Sequence, residues 1–239
     1  MNKDDLIKAS DIIDDKYLLK HSSEEISISF KILYYEFLNF VEIWIHLVLY
    51  IMDVYPKESF ESFSQFNLNF LYYIKDNEVN EYINEFLSSI EPFVFQNLVT
   101  KVYLMIINDE NNEIKDIFFL DINFTEYLNF SINLHQNLEM CFKSILSDFY
   151  YKTINKKKEN KNDDNTSFSL CIELNDNQII KGKKLYNELN QNIINKFVHD
   201  LISKDFLKIV TNKKIYSKIE NSNISISINH YSKNQIIEI

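Results

Sequence analysis

Few side chains in this sequence stand where they could do chemistry together. The histidines, His21, His46, His135, His199 and His230, are scattered, and no two have the i, i+4 spacing of a helical metal pair. His46 lies within an apolar stretch and reads as a core histidine bonded to a neighbour; the functional alternative is a ligand or a catalytic base. Cys141 and Cys171 are too few for a disulfide framework or a zinc site, and their apolar surroundings suggest buried thiols. Carboxylates cluster in polar runs such as Asp4-Asp5 and Asp14-Asp15, with no pair marked for acid–base work, and no Ser or Cys stands in a nucleophile elbow. Lys156-Lys157-Lys158 reads as a solvated loop rather than a nuclear-import or phosphate patch. The expectation is a protein with no catalytic, cofactor or metal site.

Composition narrows the classes further. The 239 residues hold one glycine (Gly182), two prolines (Pro56 and Pro92), one alanine (Ala9) and no arginine. A single glycine cannot build a phosphate-cradling loop or a dinucleotide fingerprint, and without arginine there is no bidentate guanidinium fork. A net charge of −10 disfavours direct nucleic-acid binding, which rests on neutralising phosphates. A hydrophobic fraction of 46% with 15% aromatics is ample for a core. The heavy use of Asn, Ile and Lys fits codon choice in an A+T-rich genome. MNKDDLIKASDIIDDKY has no apolar leader, and the longest apolar run is too interrupted to span a membrane, so the expectation is a soluble intracellular chain without a membrane partner. The sequons at Asn123, Asn129, Asn165 and Asn223 then carry no meaning.

The apolar periodicity sets the elements. Residues 1–28 read as a polar extension with at most a short helix around Asp11–Leu19. Between Phe30 and Tyr55, Leu33, Phe37, Phe40, Val41, Trp44, Ile45, Val48, Leu49 and Met52 recur at helical steps, with further apolar residues on the other faces, as in a central core helix. Residues 59–75 carry aromatics without a clear period and read as a loop with short extended pieces. A second helix follows over Val79–Phe93, bent or ended near Pro92. Lys101–Asn108 and Glu113–Ile122 form a hairpin around Asp109–Asn112. A third helix is expected over about 125–150, a flexible charged loop over 152–165, a strand over Ser167–Leu174 and an alternating strand over Ile224–Ile228. The expected fold is α+β, three helices on one face of a mostly antiparallel sheet. The expected domain spans 29–239, with a core of about 29–174 and a tail of about 175–239.

Four colinear blocks resemble one family. VEIWIHLVLYIMDVYPKESF (41–60), EVNEYINEFLSSIEPF (78–93), TKVYLMIINDENNEIKDIFFLDI (100–122) and SFSLCIEL (167–174) are similar to the HORMA-domain family. Within it they look most like the branch of accessory subunits of translesion DNA polymerase zeta. The resemblance implies an adaptor, not an enzyme. It implies a HORMA fold that binds a partner peptide as an added strand and locks it under a C-terminal safety belt, here about 175–239. The implied partners are a peptide of a B-family DNA polymerase catalytic subunit and a second translesion polymerase, in the nucleus with a share in the cytoplasm. The alternative is a spindle-checkpoint HORMA protein binding checkpoint and anaphase-promoting-complex activator peptides. Tyr82 matches a tyrosine that lies against the peptide, or simply packs the second helix on the core. The family's belt tryptophan has no counterpart, Trp44 being in the first helix, and Phe197 is its candidate replacement. Asn229 and Tyr231 are candidate contacts for the second partner, in a strand whose register a one-residue slip would reverse. The family's dimer uses an arginine on the third helix, where Met140 and Lys143 stand nearest in this chain. Removing 175–239 is expected to leave a soluble core that no longer retains peptides.

Overall fold

The computed structural model describes residues 23–95, 97–124, 134–157, 165–174, 214–220 and 224–232. The expected extension up to residue 22, the start of the third helix and most of the belt lie outside them. Helix α1 spans Ser23–Ile51, so 23–28 belong to it and not to an extension. Leu33, Phe37, Phe40, Val41, Trp44, Ile45, Val48 and Leu49 are buried along its stripe, and Ile43, Leu47 and Ile51 are buried on the remaining faces. That all-round burial is why the helix is apolar all round.

The end of α1 shows how a glycine-poor chain stops a helix. Asp53 takes a left-handed φ of 51°, its N–H reaches the Tyr50 carbonyl (3.3 Å), and the Val54 N–H reaches the Leu49 carbonyl (3.2 Å). This is the Schellman arrangement, in which glycine is the usual left-handed residue. Helix α2, Asn77–Phe95, runs through Pro92 and stops the same way, with Asn97 at φ 55° and bonds from Asn97 and Leu98 back to Val94 and Phe93, both 2.9 Å. Asp and Asn serve because their short polar side chains tolerate that region.

Residues 59–75 are more ordered than their sequence suggests. A short 3₁₀ turn, Lys57–Ser59, leads into β1, Phe60–Gln65, which pairs with β2, Leu68–Ile74. The two-residue turn places Phe66 and Asn67 at φ 52° and 53°, the both-positive geometry of a type I′ hairpin. Phenylalanine is a poor occupant of such a turn, which hides the hairpin from the sequence. It is held because Phe66 is buried, its ring 5.9 Å from Phe142.

The main sheet contains β3, Val99–Asn108, β4, Glu113–Phe124, β5, Thr166–Leu174, β6, Lys214–Glu220, and β7, Ile224–Ser232. Its order is β5-β3-β4-β7-β6, antiparallel throughout. Helix α3, Leu134–Lys157, continues past the expected end because 152–157 are helical and not loop, with Lys152 bridged to Asp148 one turn earlier. One face of the sheet, including Val102, Leu104, Phe118, Leu120, Leu170, Ile172, Ile226 and Ile228, forms a single core with α1, α2, α3 and the β1–β2 hairpin. The tail therefore supplies core: Ile224, Ile226 and Ile228 are fully buried. Removing 175–239 would strip β4 of its neighbour and the core of three buried isoleucines.

The hairpin can be tested through its unusual turn residue. Phe66→Ala is expected to lower unfolding free energy by about 3 kcal/mol, the usual cost of deleting a buried aromatic ring. Asn67→Gly, which keeps the turn, is expected to stay within about 0.5 kcal/mol of wild type. Urea melts of both variants check this, and a Phe66→Ala variant as stable as wild type would show that the buried ring does not hold the hairpin.

Candidate peptide-pairing edge

β5 and β6 are the two ends of the sheet order, and among the described residues nothing pairs with the outer edge of β5. One donor on that edge has a side-chain partner. The Leu170 N–H donates to the Tyr82 hydroxyl across 3.1 Å. Because antiparallel backbone groups alternate sides, the N–H and C=O groups of Phe168 and Ile172 point the same way. Tyr82 reaches the edge from α2 and sets its ring edge-on to Phe168 at 5.5 Å. Tyr55 meets the same Phe168 ring at 6.3 Å. Burial first, then Asp76, Asp109 and Tyr82, raise the Tyr55 hydroxyl above its ordinary pKa, so it stays a protonated donor. Tyr82 packs against the core, one of the two readings made from the sequence, and its hydroxyl faces the strand edge. Tyr55 and Phe168 were missed as site residues although they lie in the VYPKESF and SFSLCIEL blocks. Their spacing carries no period that marks them as neighbours.

The sheet face away from the helices carries a second, smaller cluster of Tyr103, Met105, Ile117, Phe119 and Cys171, all buried. Cross-strand register sets Glu173, Lys101, Asp121 and Ser227 side by side at one end of this face. Burial alone would raise the Glu173 carboxyl, but bonds from Lys101 (2.6 and 2.7 Å), Tyr103 (2.8 Å) and Thr100 (3.2 Å) hold it below the usual carboxylate range. The Cys171 thiol is pushed up to about 12, by burial first and the Glu173 charge second, and is chemically quiet.

Of the two residues expected to meet a second partner, Asn229 is fully buried. Its amide donates to the Ser227 carbonyl and hydroxyl (3.0 and 2.9 Å) and to Asp121 (3.3 Å), while its Oδ1 has no partner. This corrects its reading as a surface contact: the pleat turns Asn229 into the cluster. Tyr231 is half-buried and stacks on Phe119 at 5.1 Å. Phe197 lies outside the described residues. Met140 is well exposed on α3.

His46 is a core residue. Its Nδ1 accepts the Ile74 N–H at 3.5 Å, tying β2 to α1, and its ring lies 4.2 Å from Tyr73. Its Nε2 is buried without a partner. Among the described residues no group of three or more His, Cys, Asp or Glu could hold a metal ion.

The geometry has counterparts among solved structures. A chain of a mitotic checkpoint complex superposes with a TM-score of 0.63 over 82% of this chain and 96% of that one, at 14% identity. The Caenorhabditis elegans protein HTP-2, bound to a HIM-3 closure motif, superposes with a TM-score of 0.54 over 82% of this chain and 88% of its own, at 9% identity. The chain folds as a HORMA domain. No model of a known family matches the sequence. The mitotic spindle assembly checkpoint proteins MAD2B of Danio rerio and Homo sapiens are each 30% identical over 81 residues, 34% of this chain. The matched segment spans 38% of the length of those relatives.

Two substitutions check the geometry of this HORMA domain. Burial lowers the His46 pKa to about 4, below its unfolded value near 6.5, so the unfolded chain binds more protons between those values. Stability is expected to fall by about 2 kcal/mol from pH 6.5 to pH 5, at about 1.4 kcal/mol per unit, and to flatten in His46→Gln. Urea titrations at those pH values read both slopes. Tyr82→Phe, which leaves the ring and removes the acceptor for Leu170, is expected to cost about 1 kcal/mol in the same assay. A variant as stable as wild type would show that water serves that N–H equally well.

Proposed function

We propose that this HORMA domain is a non-catalytic adaptor that captures a partner peptide as a strand on the outer edge of β5 and retains it beneath residues 175–213. The observation that carries this reading is topological. β5 ends the sheet on one side with backbone groups available for pairing, and the next described strand, β6, lies at the opposite end. The segment joining them has to connect one edge to the other, and on this proposal it passes over a peptide seated on β5. Main-chain hydrogen bonds would supply affinity. Release would wait for the crossing segment to move, so the complex would be long-lived whatever its equilibrium constant. Entry of a strand also requires Tyr82 to give up the Leu170 N–H to a peptide carbonyl.

The more specific reading is an accessory subunit of DNA polymerase zeta, holding a peptide of the catalytic subunit and bridging it to a second translesion polymerase in the nucleus. The 81-residue similarity to MAD2B supports it. The second reading is a checkpoint HORMA protein, favoured by the checkpoint name those relatives carry and by the fold shared with a mitotic checkpoint complex chain. Damage-induced nuclear foci with recovery of a B-family polymerase chain separate the first from kinetochore foci with checkpoint components.

The retention mechanism has its own test. A specific protease site inserted within 175–213 leaves β6 and β7 in the sheet. Once a bound peptide is labelled, cutting is expected to speed its release at least about tenfold while circular dichroism stays unchanged. Release at the same rate before and after the cut would remove the belt from the mechanism.

A further inference from the structure

A side-chain contact on the outer edge of β5 bears on how that edge behaves when it is empty. The outward backbone groups belong to Phe168, Leu170 and Ile172. The middle N–H, that of Leu170, donates to the Tyr82 hydroxyl across 3.1 Å. Leu170 is buried, and a protein acceptor is worth more to its N–H there than it would be in open solvent. The acceptor is firmly placed. Ile83 and Phe86 bury α2 in the core on either side of the contact, and the Tyr82 ring packs edge-on against Phe168. The hydroxyl is thus carried to the edge by packed elements and not by a loop.

Such a contact competes with an incoming strand. A peptide pairing along β5 has to set a carbonyl oxygen where the Tyr82 oxygen stands, because a single N–H makes one well-aligned hydrogen bond. A bond made only in the empty state opposes binding by as much as it stabilises that state.

Resting on the reading of β5 as a peptide-pairing edge, we propose that Tyr82 is an autoinhibitory placeholder: its hydroxyl holds the pairing position at Leu170 in the empty domain, and capture proceeds by displacing it. The device blunts an edge that would otherwise pair with unwanted extended chains. Because the bond is broken on the way to the complex, it slows entry and leaves release unchanged. The sign of its effect is opposite to that of a peptide contact. The hydroxyl stabilises the domain and weakens capture, whereas a contact would strengthen capture.

The test uses a peptide selected from a displayed random library on the immobilised full-length wild-type chain. Its association and release rates are measured on wild type and on Tyr82→Phe, which keeps the ring against Phe168 and removes the acceptor. Tyr82→Phe is expected to bind that peptide about fivefold tighter, the worth of one modest hydrogen bond, with the whole gain in the association rate. Hydrogen exchange gives a second reading. The Leu170 amide is expected to exchange about fivefold faster in the empty variant than in the empty wild type, and at equal rates in the two complexes. Equal or weaker binding by Tyr82→Phe, or a gain confined to slower release, would overturn the placeholder and leave the capture reading standing. An unprotected Leu170 amide in the empty wild-type chain would overturn it without any variant. Selection of no peptide at all would overturn the capture reading and this inference with it.

Discussion

A β-strand in a sheet has hydrogen-bonding groups along both of its sides, and how those sides are satisfied organises this molecule. β3, β4 and β7 are paired on both sides. β6 closes one end after the chain has crossed from the other, and β5 is left with one side unmatched by any described strand. Exposed edges invite unwanted pairing, and proteins usually blunt them with charge, bulges or covering segments. Here a tyrosine from a neighbouring helix takes up one amide, and among the described residues no strand covers the rest of that edge.

The guard depends on the core. Tyr82 can reach Leu170 because α2 is fixed against α1 through Ile83, Phe86, Ile90 and Phe93. The position of α1 is in turn fixed by the burial of every residue from Ile43 to Leu49. The β1–β2 hairpin is bound into the same assembly by His46 accepting the Ile74 N–H and by Asn80 donating to the Ile74 carbonyl at 2.8 Å. One residue of β2 is thus held from two helices, and Tyr55 lies in the connection between α1 and that hairpin. Both aromatic residues flanking Phe168 therefore inherit their positions from α1.

What the sequence made legible follows from how locally each element is determined. α1, the β3–β4 hairpin and β5 announce themselves by apolar period and by polar turns, and the α+β arrangement follows from their order. The β1–β2 hairpin was not legible because its turn uses Phe66 where Asn or Gly would have signalled a reversal. The last turns of α3 were hidden by lysines that read as loop, although in a helix such residues lie along a solvated face. The site was legible only in part. Tyr82 stood out through resemblance, but its partner Leu170 is 88 residues away in the chain, and no local pattern links them. Asn229 was assigned to a surface because alternation shows which residues share a face and not which face is covered.

The same reasoning bears on why an adaptor of this kind needs no catalytic residues. A peptide added to an open edge gains only the modest net value of each hydrogen bond, since water already satisfied the free strand. Such pairing is fast to form and fast to break. The proposed retention by the connection between β5 and β6 would change the kinetics of release without requiring a new contact. The cost falls on the segment itself, which has to be compatible with a state before capture and a state after it. A sequence under both demands cannot commit strongly to one local structure. The strong alternation of Ile224–Ile228, by contrast, belongs to a strand held in one place, paired with β4 and buried on one face.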